Sequence, residues 1–293
     1  MTPKITWIGL GVMGFPMAGH LSSAGYSMTV YNRTTEKALD WVKQYSGNYI
    51  TTPKDAAFGA DIVISCVGND NDLREITLGE QGAFHSMSEG AIFIDHTTTS
   101  ANIARELNEE ANHLGIQFVD APVSGGQVGA ETGKLTVMCG GGNNTFDEVT
   151  SIINNYSSSC KLMGEAGAGQ LTKMVNQICI AGLLQGLSEG LNFAENAGLD
   201  GKAVLDVISK GAAGSWQMEN RGKTMIDDQF DFGFAVDWMN KDLQICLDEA
   251  HRNKSKLTIT TLINEFYKDI QKAGGGRWDT SSLIRRLNGN LKT

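Results

Sequence analysis

A glycine-rich turn directly after the first apolar run is the feature that most constrains the fold of this chain. The segment ITWIGLGVMGFPMAGHLSSAG begins as an apolar strand, and its glycines then form a GxGxxG pattern that opens a helix. In such a turn the first glycine allows a tight bend, the second lets the backbone approach a pyrophosphate, and the third lets helix and strand pack closely. The helix N-terminus also attracts the phosphate charge. The residues predicted to bind a dinucleotide here are Gly9, Leu10, Gly11, Val12, Met13 and Gly14.

Strand-like and helix-like segments alternate from residue 1 to about residue 163. The strand candidates are KITWIGL, SMTVYN, ADIVISCV, GAIFID, IQFVDAP and KLTVMCGG. This alternation predicts βαβ units in a Rossmann-type, doubly wound, mostly parallel sheet, and runs that are apolar throughout are typical of strands covered on both faces. A lone GxGxxG is weak evidence, but at the first strand of this pattern it favours a dinucleotide site over an ordinary glycine turn.

The strand candidates stop at about residue 164, and only helical patterns follow. These helical patterns cover 168–197, about 201–210, about 235–254 and about 257–273. The sequence therefore predicts an α/β, NAD(P)-binding domain at 1–163. An all-helical domain is predicted at 164–293, joined through the long helix that begins at 168.

Composition excludes several classes of function. The chain has 293 residues, a net charge of −9 and no apolar run of 18 residues. Nucleic-acid binding needs a basic surface, and a membrane span needs an apolar run of about that length. We therefore expect neither a nucleic acid nor a membrane as a partner. The cysteines form no CxxC pair and the five histidines show no ligand spacing. We expect reduced cysteines in a cytoplasmic protein, and no metal site.

The end of the second strand candidate bears on the choice between NAD and NADP. An acidic residue at this point holds the ribose 2′-hydroxyl of NAD, whereas this chain reads VYNRTTEK. Asn32, Arg33 and Thr34 offer donors and a positive charge, which suit a 2′-phosphate. The alternative is a solvated arginine at a turn. NADP is the favoured cofactor, with NAD as the other choice.

One lysine lies at the start of a largely apolar helix face. In GAGQLTKMVNQICIAG, Lys173, Asn176 and Gln177 share a face that continues with Ile180 and later leucines. Burying an ammonium is costly unless it is paired, and desolvation lowers the pKa of a lysine towards neutrality. An acid/base lysine is one interpretation, and a lysine whose long stem reaches solvent is the other. His96, at the end of another strand candidate, is a rival acid/base.

A second glycine-rich stretch, FVDAPVSGGQVGAETGKLTVMCGG, lies between two strand candidates. Ser124, Gly125 and Gly126 offer a hydroxyl and backbone N–H groups to an anion such as a carboxylate. An ordinary turn is the alternative. Further along the chain, Lys241 and Asp242 interrupt an otherwise apolar helical segment.

Four motifs together resemble the β-hydroxyacid dehydrogenase family, which includes 3-hydroxyisobutyrate dehydrogenase, tartronate semialdehyde reductase and glyoxylate/succinic semialdehyde reductase. GLGVMGFPMA, DAPVSGGQVGAETGKLTVMCGG, GAGQLTKMVNQ and KDLQICLDEA occur in the family's order and at its spacing. The resemblance implies an NAD(P)-dependent oxidoreductase that interconverts a small 3-hydroxy or 2-hydroxy carboxylic acid and its semialdehyde by hydride transfer. It also implies a homodimer or homotetramer, with 164–293 as the domain for substrate binding and dimerisation.

The resemblance assigns roles to the residues that match the family's motifs. Lys173 is implied as the catalytic acid/base, with Asn176 beside it. The residues implied to bind the substrate are Ser124, Gly125, Gly126, Gln177, Trp216 and Phe234. The further implied cofactor contacts are Val67, Gly68, Asp72, Thr98 and Lys241. For the two aromatic residues, ordinary core packing is an equal alternative.

The chain departs from the patterns of individual branches of the family. It reads Lys173-Met-Val-Asn176-Gln177, where many 3-hydroxyisobutyrate dehydrogenases read KxxNN, and this is closer to tartronate semialdehyde reductases. Those often carry an acidic residue where this chain has Asn32 and Arg33. Imine reductases on this scaffold lose the lysine, so Lys173 argues against that branch. The main expectation is an activity like that of 3-hydroxyisobutyrate dehydrogenase. The alternatives are the two semialdehyde reductases and a non-catalytic dinucleotide-binding scaffold.

Overall fold

The computed structural model describes residues 2–291 of the chain. They divide into two compact units, one ending at Lys173 and the other beginning at Met174. The division falls inside a long helix, shortly after the change of pattern at 163/164. The first unit carries the sheet, and the second is built from helices.

The described part of the chain contains nine strands. They are β1 (Lys4–Ile8), β2 (Ser27–Tyr31), β3 (Asn48–Tyr49), β4 (Ile62–Ser65), β5 (Ile92–Asp95), β6 (Gln117–Asp120), β7 (Val123–Ser124), β8 (Leu135–Gly141) and β9 (Ser157–Gly164). The helices between them are α1 (Gly14–Ser23), α2 (Thr35–Gln44), α3 (Pro53–Ala57), α4 (Asp70–Leu78), α5 (Ala101–His113), α6 (Gly126–Glu131) and α7 (Asn143–Ile153).

The strands form one sheet in the order β3-β2-β1-β4-β5-β6-β8-β7, with β9 paired to β8. The strands from β3 to β6 are parallel to one another, whereas β8 is antiparallel to both β6 and β7. The predicted doubly wound, mostly parallel sheet is therefore confirmed. Because the strand order reverses between β1 and β4, their carboxyl ends border the crevice in which open α/β sheets bind ligands.

Alternate residues of the central strands pack into two separate cores. Ile62 and Ile64 belong to the core formed with α1 and α2, whereas Val63 and Phe93 belong to the core formed with α4 and α5. Successive side chains of a strand point to opposite faces of the sheet. Helices therefore cover both faces, which explains why these strands are apolar throughout.

Three strands are not predicted by the sequence pattern. β3 and β7 are two residues long, too short for any periodicity to show. β9 reads SSSCKLMG, and most of its side chains are exposed, so it lacks an apolar signal. Its pairing with β8 makes it a strand.

The second unit continues the long helix. Its helices are α8 (Ala168–Asn196), which begins in the first unit, α9 (Gly201–Ile208), α10 (Trp216–Ile226), α11 (Val236–Asn253) and α12 (Thr258–Lys272). The four predicted helical patterns correspond to α8, α9, α11 and α12. Leu184 of α8, Leu243 of α11 and Ile263 of α12 share one core. Among the described residues, no helix combines the length and apolar character that crossing a membrane requires.

Candidate functional site

Two glycines of the first turn are required by close backbone packing. Gly9 has a φ of +97°, and a Cβ there would lie 2.3 Å from the carbonyl oxygen of Cys66, just after β4. A Cβ on Gly14 would lie 2.0 Å from the carbonyl oxygen of Gly9. A Cβ on Gly11, in contrast, would meet no heavy atom of the described residues within 4 Å. The loop is thus pressed against the end of β4, while the backbone at Gly11 is open to approach.

Asn32, at the end of β2, stabilises this loop by a hydrogen bond to its backbone. Its Oδ1 accepts from the N–H of Leu10 at 2.8 Å, and its Nδ2 donates to the carbonyl of Thr34 at 2.9 Å. The amide that the sequence offered to a 2′-phosphate is therefore engaged with the chain's own backbone. Val12 and Met13 complete the loop before α1 begins.

Arg33 and Asp72 come together although the sequence singled them out on separate grounds. Nη1 of Arg33 lies 2.9 Å from Oδ1 of Asp72, and the arginine side chain is 83% exposed. Asp72 belongs to the first turn of α4, which Asn69 caps through the Asp72 N–H. The pair therefore links the regions that follow β2 and β4.

A buried carboxylate at the end of β5 organises the loops after β4 and β5. Oδ1 of Asp95 accepts from the Ser65 hydroxyl at 2.7 Å and from the Thr97 hydroxyl at 2.6 Å. The Thr97 hydroxyl in turn accepts from the N–H of Val67 at 2.9 Å. Burial raises the pKa of Asp95 to about 7. The network fixes the backbone that precedes Gly68.

Thr98 differs in exposure from the residues on either side of it. It is partly exposed, whereas the neighbouring threonines, Thr97 and Thr99, are buried. Thr98 follows β5 at the carboxyl edge of the sheet, where ligands of such sheets bind. The cofactor contact expected for Thr98 stays a prediction.

His96, the rival acid/base, is buried, and both nitrogens of its ring have a hydrogen-bond partner. Its Nδ1 donates to the carbonyl of Ala121 at 2.6 Å, and its Nε2 lies 2.9 Å from the hydroxyl of Tyr156. The ring stacks on Trp7, and burial lowers its pKa to about 4. A neutral ring with both nitrogens engaged supports a structural role.

The beginning of α8 is held by the carboxyl end of β6. Oδ1 of Asp120 accepts from the N–H of Gly167 at 2.7 Å, and its Oδ2 accepts from that of Gln170 at 2.9 Å. Burial raises the pKa of Asp120 to about 6, although these backbone hydrogen bonds act in the opposite direction. The first turn of α8 is thereby attached to the ligand-binding edge of the sheet.

Gln170 attaches the same turn to the segment after β5. Its side chain is fully buried, with Nε2 donating to the carbonyl of Thr97 at 2.7 Å and Oε1 accepting from the N–H of Thr99 at 3.1 Å. Lys173 lies one turn further along α8, and it is 7% exposed.

Asp95, Asp120 and Gln170 are missing from the site predicted by the sequence. The sequence did contain a signal for the two acids, because each is the last residue of an apolar strand. A carboxylate buried at such a position is costly unless hydrogen bonds compensate for its lost hydration. Gln170 has no such signal, since its partners are backbone groups remote in sequence.

The predicted carboxylate-binding turn needs both of its glycines. Gly125 and Gly126 have φ values of +131° and +61°, a region that favours glycine. Ser124 is partly buried, and the pairing of β7 with β8 places it opposite Thr136. Ser124 is therefore held by the sheet immediately before a turn with exposed backbone.

In the second unit, polar side chains of α8 and α11 form a continuous series of contacts. Asn176 Nδ2 donates to Gln177 Oε1 at 2.8 Å, and Gln177 Nε2 donates to Asp242 Oδ2 at 2.6 Å. Nζ of Lys241 lies 2.9 Å from Asp242 Oδ1. Gln177 and Asp242 are each 2% exposed. The structure thus brings together three residues of the predicted site: Asn176, Gln177 and Lys241.

Trp216 and Phe234 lie at the starts of two other segments. Trp216 begins α10 and is 48% exposed, with the Arg221 guanidinium 5.0 Å from its ring centroid, so it is not a core residue. Phe234 precedes α11 and packs, partly buried, against the core of α8, α11 and α12. Over residues 2–291, no group of three or more His, Cys, Asp or Glu side chains is arranged to hold a metal ion.

Two family models match most of the chain between them. One, described as the NAD binding domain of 6-phosphogluconate dehydrogenase, matches residues 4–164. The other, described as the NAD-binding of NADP-dependent 3-hydroxyisobutyrate dehydrogenase, matches residues 167–287.

Individual proteins match over nearly the full length. An uncharacterized oxidoreductase of Shewanella frigidimarina is 62% identical over 97% of this chain and 98% of that protein. The 2-hydroxy-3-oxopropionate reductase of Escherichia coli is 31% identical over 97% of each chain. The structure of Mycobacterium tuberculosis 3-hydroxyisobutyrate dehydrogenase with L-serine matches with a TM-score of 0.89 and 26% identity, over 98% of this chain and 100% of that one.

Proposed function

This chain belongs to the 3-hydroxyisobutyrate dehydrogenase family of NAD(P)-dependent β-hydroxyacid dehydrogenases, and we propose that it interconverts a small hydroxy acid and its semialdehyde with Lys173 as general acid and base. One observation carries the proposal. Lys173 is 7% exposed and lies one turn beyond Gln170 in α8. The backbone of Gln170 is bound by Asp120 at the end of β6, and its side chain binds the segment that follows β5. That edge is where such sheets hold their ligands.

The glycine loop fits a dinucleotide. Its backbone is open at Gly11, Asn32 fixes the N–H of Leu10, and the N-terminus of α1 follows directly. When bound, the nicotinamide cofactor supplies or accepts the hydride. The residues of the first unit proposed to hold it are Gly9, Leu10, Gly11, Val12, Met13, Gly14, Arg33, Val67, Gly68 and Thr98.

We propose NADP over NAD on the basis of Arg33. Its guanidinium is largely exposed at the end of β2, and Asn32 stands where an acidic residue would hold the ribose of NAD. The ion pair with Asp72 is exposed on the arginine side, so it is weak in water and leaves the guanidinium able to meet a phosphate.

Lys173 provides the proton transfer that hydride transfer requires. Reduction turns the carbonyl oxygen into an alkoxide, which needs a general acid as its charge develops. The ammonium of Lys173 donates that proton, and the neutral amine accepts the hydroxyl proton in the oxidative direction. Asn176 lies one turn after Lys173 in α8 and is held by its hydrogen bond to Gln177. It orients the polar part of the helix face that these three residues share.

The turn after β7 provides the recognition of the substrate carboxylate. The Ser124 hydroxyl and the exposed backbone N–H groups at Gly125 and Gly126 donate to its oxygens. Charge-assisted hydrogen bonds of this kind are stronger than neutral ones. They select acids over neutral aldehydes, and so the substrate is a semialdehyde that carries a carboxylate.

The direct test is NADPH oxidation with a panel of semialdehydes. The panel contains glyoxylate, tartronate semialdehyde, succinic semialdehyde and the semialdehyde of 3-hydroxyisobutyrate, each beside a neutral aldehyde of similar size. We expect turnover of at least one acid and poor use of every neutral aldehyde. Equal use of acidic and neutral aldehydes would contradict the carboxylate site.

Two substitutions of Lys173 test the acid/base role. Lys173→Ala and Lys173→Arg should both lower kcat by about 10²–10⁴-fold, because an arginine keeps the charge but does not release its proton near neutral pH. NADPH affinity should stay close to that of the wild type. The matched control is Lys161→Ala, at an exposed lysine of β9. An active Lys173→Arg would show that only the charge matters.

A further inference from the structure

The amide of Gln170 bonds to one short backbone segment at both of its ends. Nε2 donates to the carbonyl of Thr97, and Oε1 accepts from the N–H of Thr99. These two groups flank Thr98, so the amide holds the segment as a neighbouring strand would. Gln170 is fully buried, and an amide with both ends engaged resists shifts of its partner, because any displacement leaves a buried polar group unpaired.

The turn that carries Gln170 is itself fixed to the sheet. Asp120 accepts from the N–H groups of Gly167 and Gln170. A Cβ on Gly169 would lie 2.4 Å from the carbonyl oxygen of Met138, so the helix rests directly on the backbone of β8. Lys173 follows Gln170 by three residues and therefore lies on the same side of α8.

We infer that Gln170 is a positioning residue that sets where Lys173 stands relative to Thr98, and this role rests on the proposed function. Hydride transfer and proton transfer act on neighbouring atoms, the carbon and the oxygen of one carbonyl. The cofactor-side segment and the acid must therefore keep a fixed separation. A misplacement of about 1 Å in such an arrangement costs on the order of 10²-fold in rate.

Two variants of Gln170 and one matched control test this role. Gln170→Leu keeps most of the volume and removes both hydrogen bonds. Gln170→Glu keeps the acceptor for the Thr99 N–H, and once its carboxyl is ionised at high pH it sets an oxygen against the carbonyl of Thr97. The control is Gln185→Leu, the same change at another buried glutamine of α8, which has no part in the proposed site.

We expect Gln170→Leu to lower kcat by about 10–100-fold while KM and the Kd for NADPH, measured by its fluorescence, change by less than about threefold. The kinetic isotope effect with 4-deuterated NADPH should rise, because hydride transfer becomes the slow step. Independently of turnover, hydrogen exchange at the Thr99 amide should accelerate in Gln170→Leu and stay slow in Gln170→Glu. Gln185→Leu should keep the wild-type kcat and isotope effect.

A folded Gln170→Leu with wild-type kcat, or an equal loss in Gln185→Leu, would overturn the positioning role. If Gln170→Leu does not fold, Gln170→Glu decides by kcat and isotope effect at a pH above the raised pKa of its buried carboxyl. Wild-type values under that condition overturn the positioning role. The proposed function fails separately. A Lys173→Ala variant with wild-type kcat removes that function, whereas an inactive Lys173→Ala beside a fully active Gln170→Leu removes only the role of Gln170.

Discussion

At the end of β2, the adjacent residues Asn32 and Arg33 make different contacts. The amide of Asn32 is engaged with the backbone of Leu10 and Thr34, so its contribution is to the shape of the glycine loop. Arg33 projects its guanidinium into solvent beside Asp72. The proposed preference for NADP therefore depends on Arg33.

Arg33→Ala should lower kcat/KM for NADPH by about 10–100-fold, the equivalent of a lost charge-assisted hydrogen bond of about 1.5–3 kcal/mol. The value for NADH should hardly change, because NAD has no 2′-phosphate. The measurement is kcat/KM for both cofactors with both proteins. Arg74→Ala is the matched control, at an arginine paired with Glu106 on the surface. A wild type that prefers NADH would show that Arg33 is only a solvated turn residue.

At the scale of an element, α8 contains glycines of two kinds. Gly169 is required by packing, because a Cβ there would lie 2.4 Å from the carbonyl oxygen of Met138 and 2.7 Å from that of Asp120. Gly182 lies on the same helix, where a Cβ would meet no heavy atom of the described residues within 4 Å. The first turn of α8 is thus constrained by the sheet, whereas the middle of the helix is not constrained in this way.

Alanine at these two positions should have opposite effects on the free energy of unfolding. Gly169→Ala should destabilise the protein by about 1–3 kcal/mol, since the added methyl group overpacks rigid backbone. Gly182→Ala should be neutral or stabilise by up to about 1 kcal/mol through helix propensity. Urea unfolding of both variants gives the comparison. A neutral Gly169→Ala would mean that α8 can move away from the sheet without penalty.

At the scale of the whole molecule, buried titratable groups set how stability depends on pH. Burial raises the pKa of Asp95 to about 7 and of Asp120 to about 6, and it lowers that of His96 to about 4. Each buried acid binds more protons when folded than when unfolded, so its contribution falls as the pH rises from near 4 to its folded pKa. The histidine acts in the opposite direction, because its contribution is lost as the pH falls from about 6.5 towards 4.

Asp95→Asn isolates the largest of these effects. Oδ1 can still accept its hydrogen bonds, and the group that changes is Oδ2, which has no hydrogen-bond partner among the described residues. Relative to the wild type, the variant should gain a few kcal/mol of stability at about pH 8 but little at about pH 5, since one pKa unit corresponds to about 1.4 kcal/mol. Urea unfolding at both pH values measures the difference. A variant less stable than the wild type at the higher pH would show that the carboxylate is stabilised in its charged form.

Sequence by itself determined the features that depend on local rules. The apolar strands, the helices α8, α9, α11 and α12 and the glycine turn follow from periodicity and backbone sterics within one short segment. The mostly parallel, doubly wound character of the sheet then follows from the alternation of strands and helices. Lys173 could be singled out for the same reason. A charged side chain on an apolar helix face is unusual, and the pattern shows within a few helical turns. The roles of the predicted site residues stay predictions.

Tertiary structure alone decided which polar groups meet. Gln170 and Thr97 are 73 positions apart, and Gly167 and Asp120 are 47 apart, so no local pattern links them. The neutral state of His96, the brace formed by Asn32 and the strand β9 likewise depend on partners supplied by other segments. A hydrogen bond is directional and acts over about 3 Å, and its partners are therefore known only when folding has brought distant backbone and side-chain groups to one place.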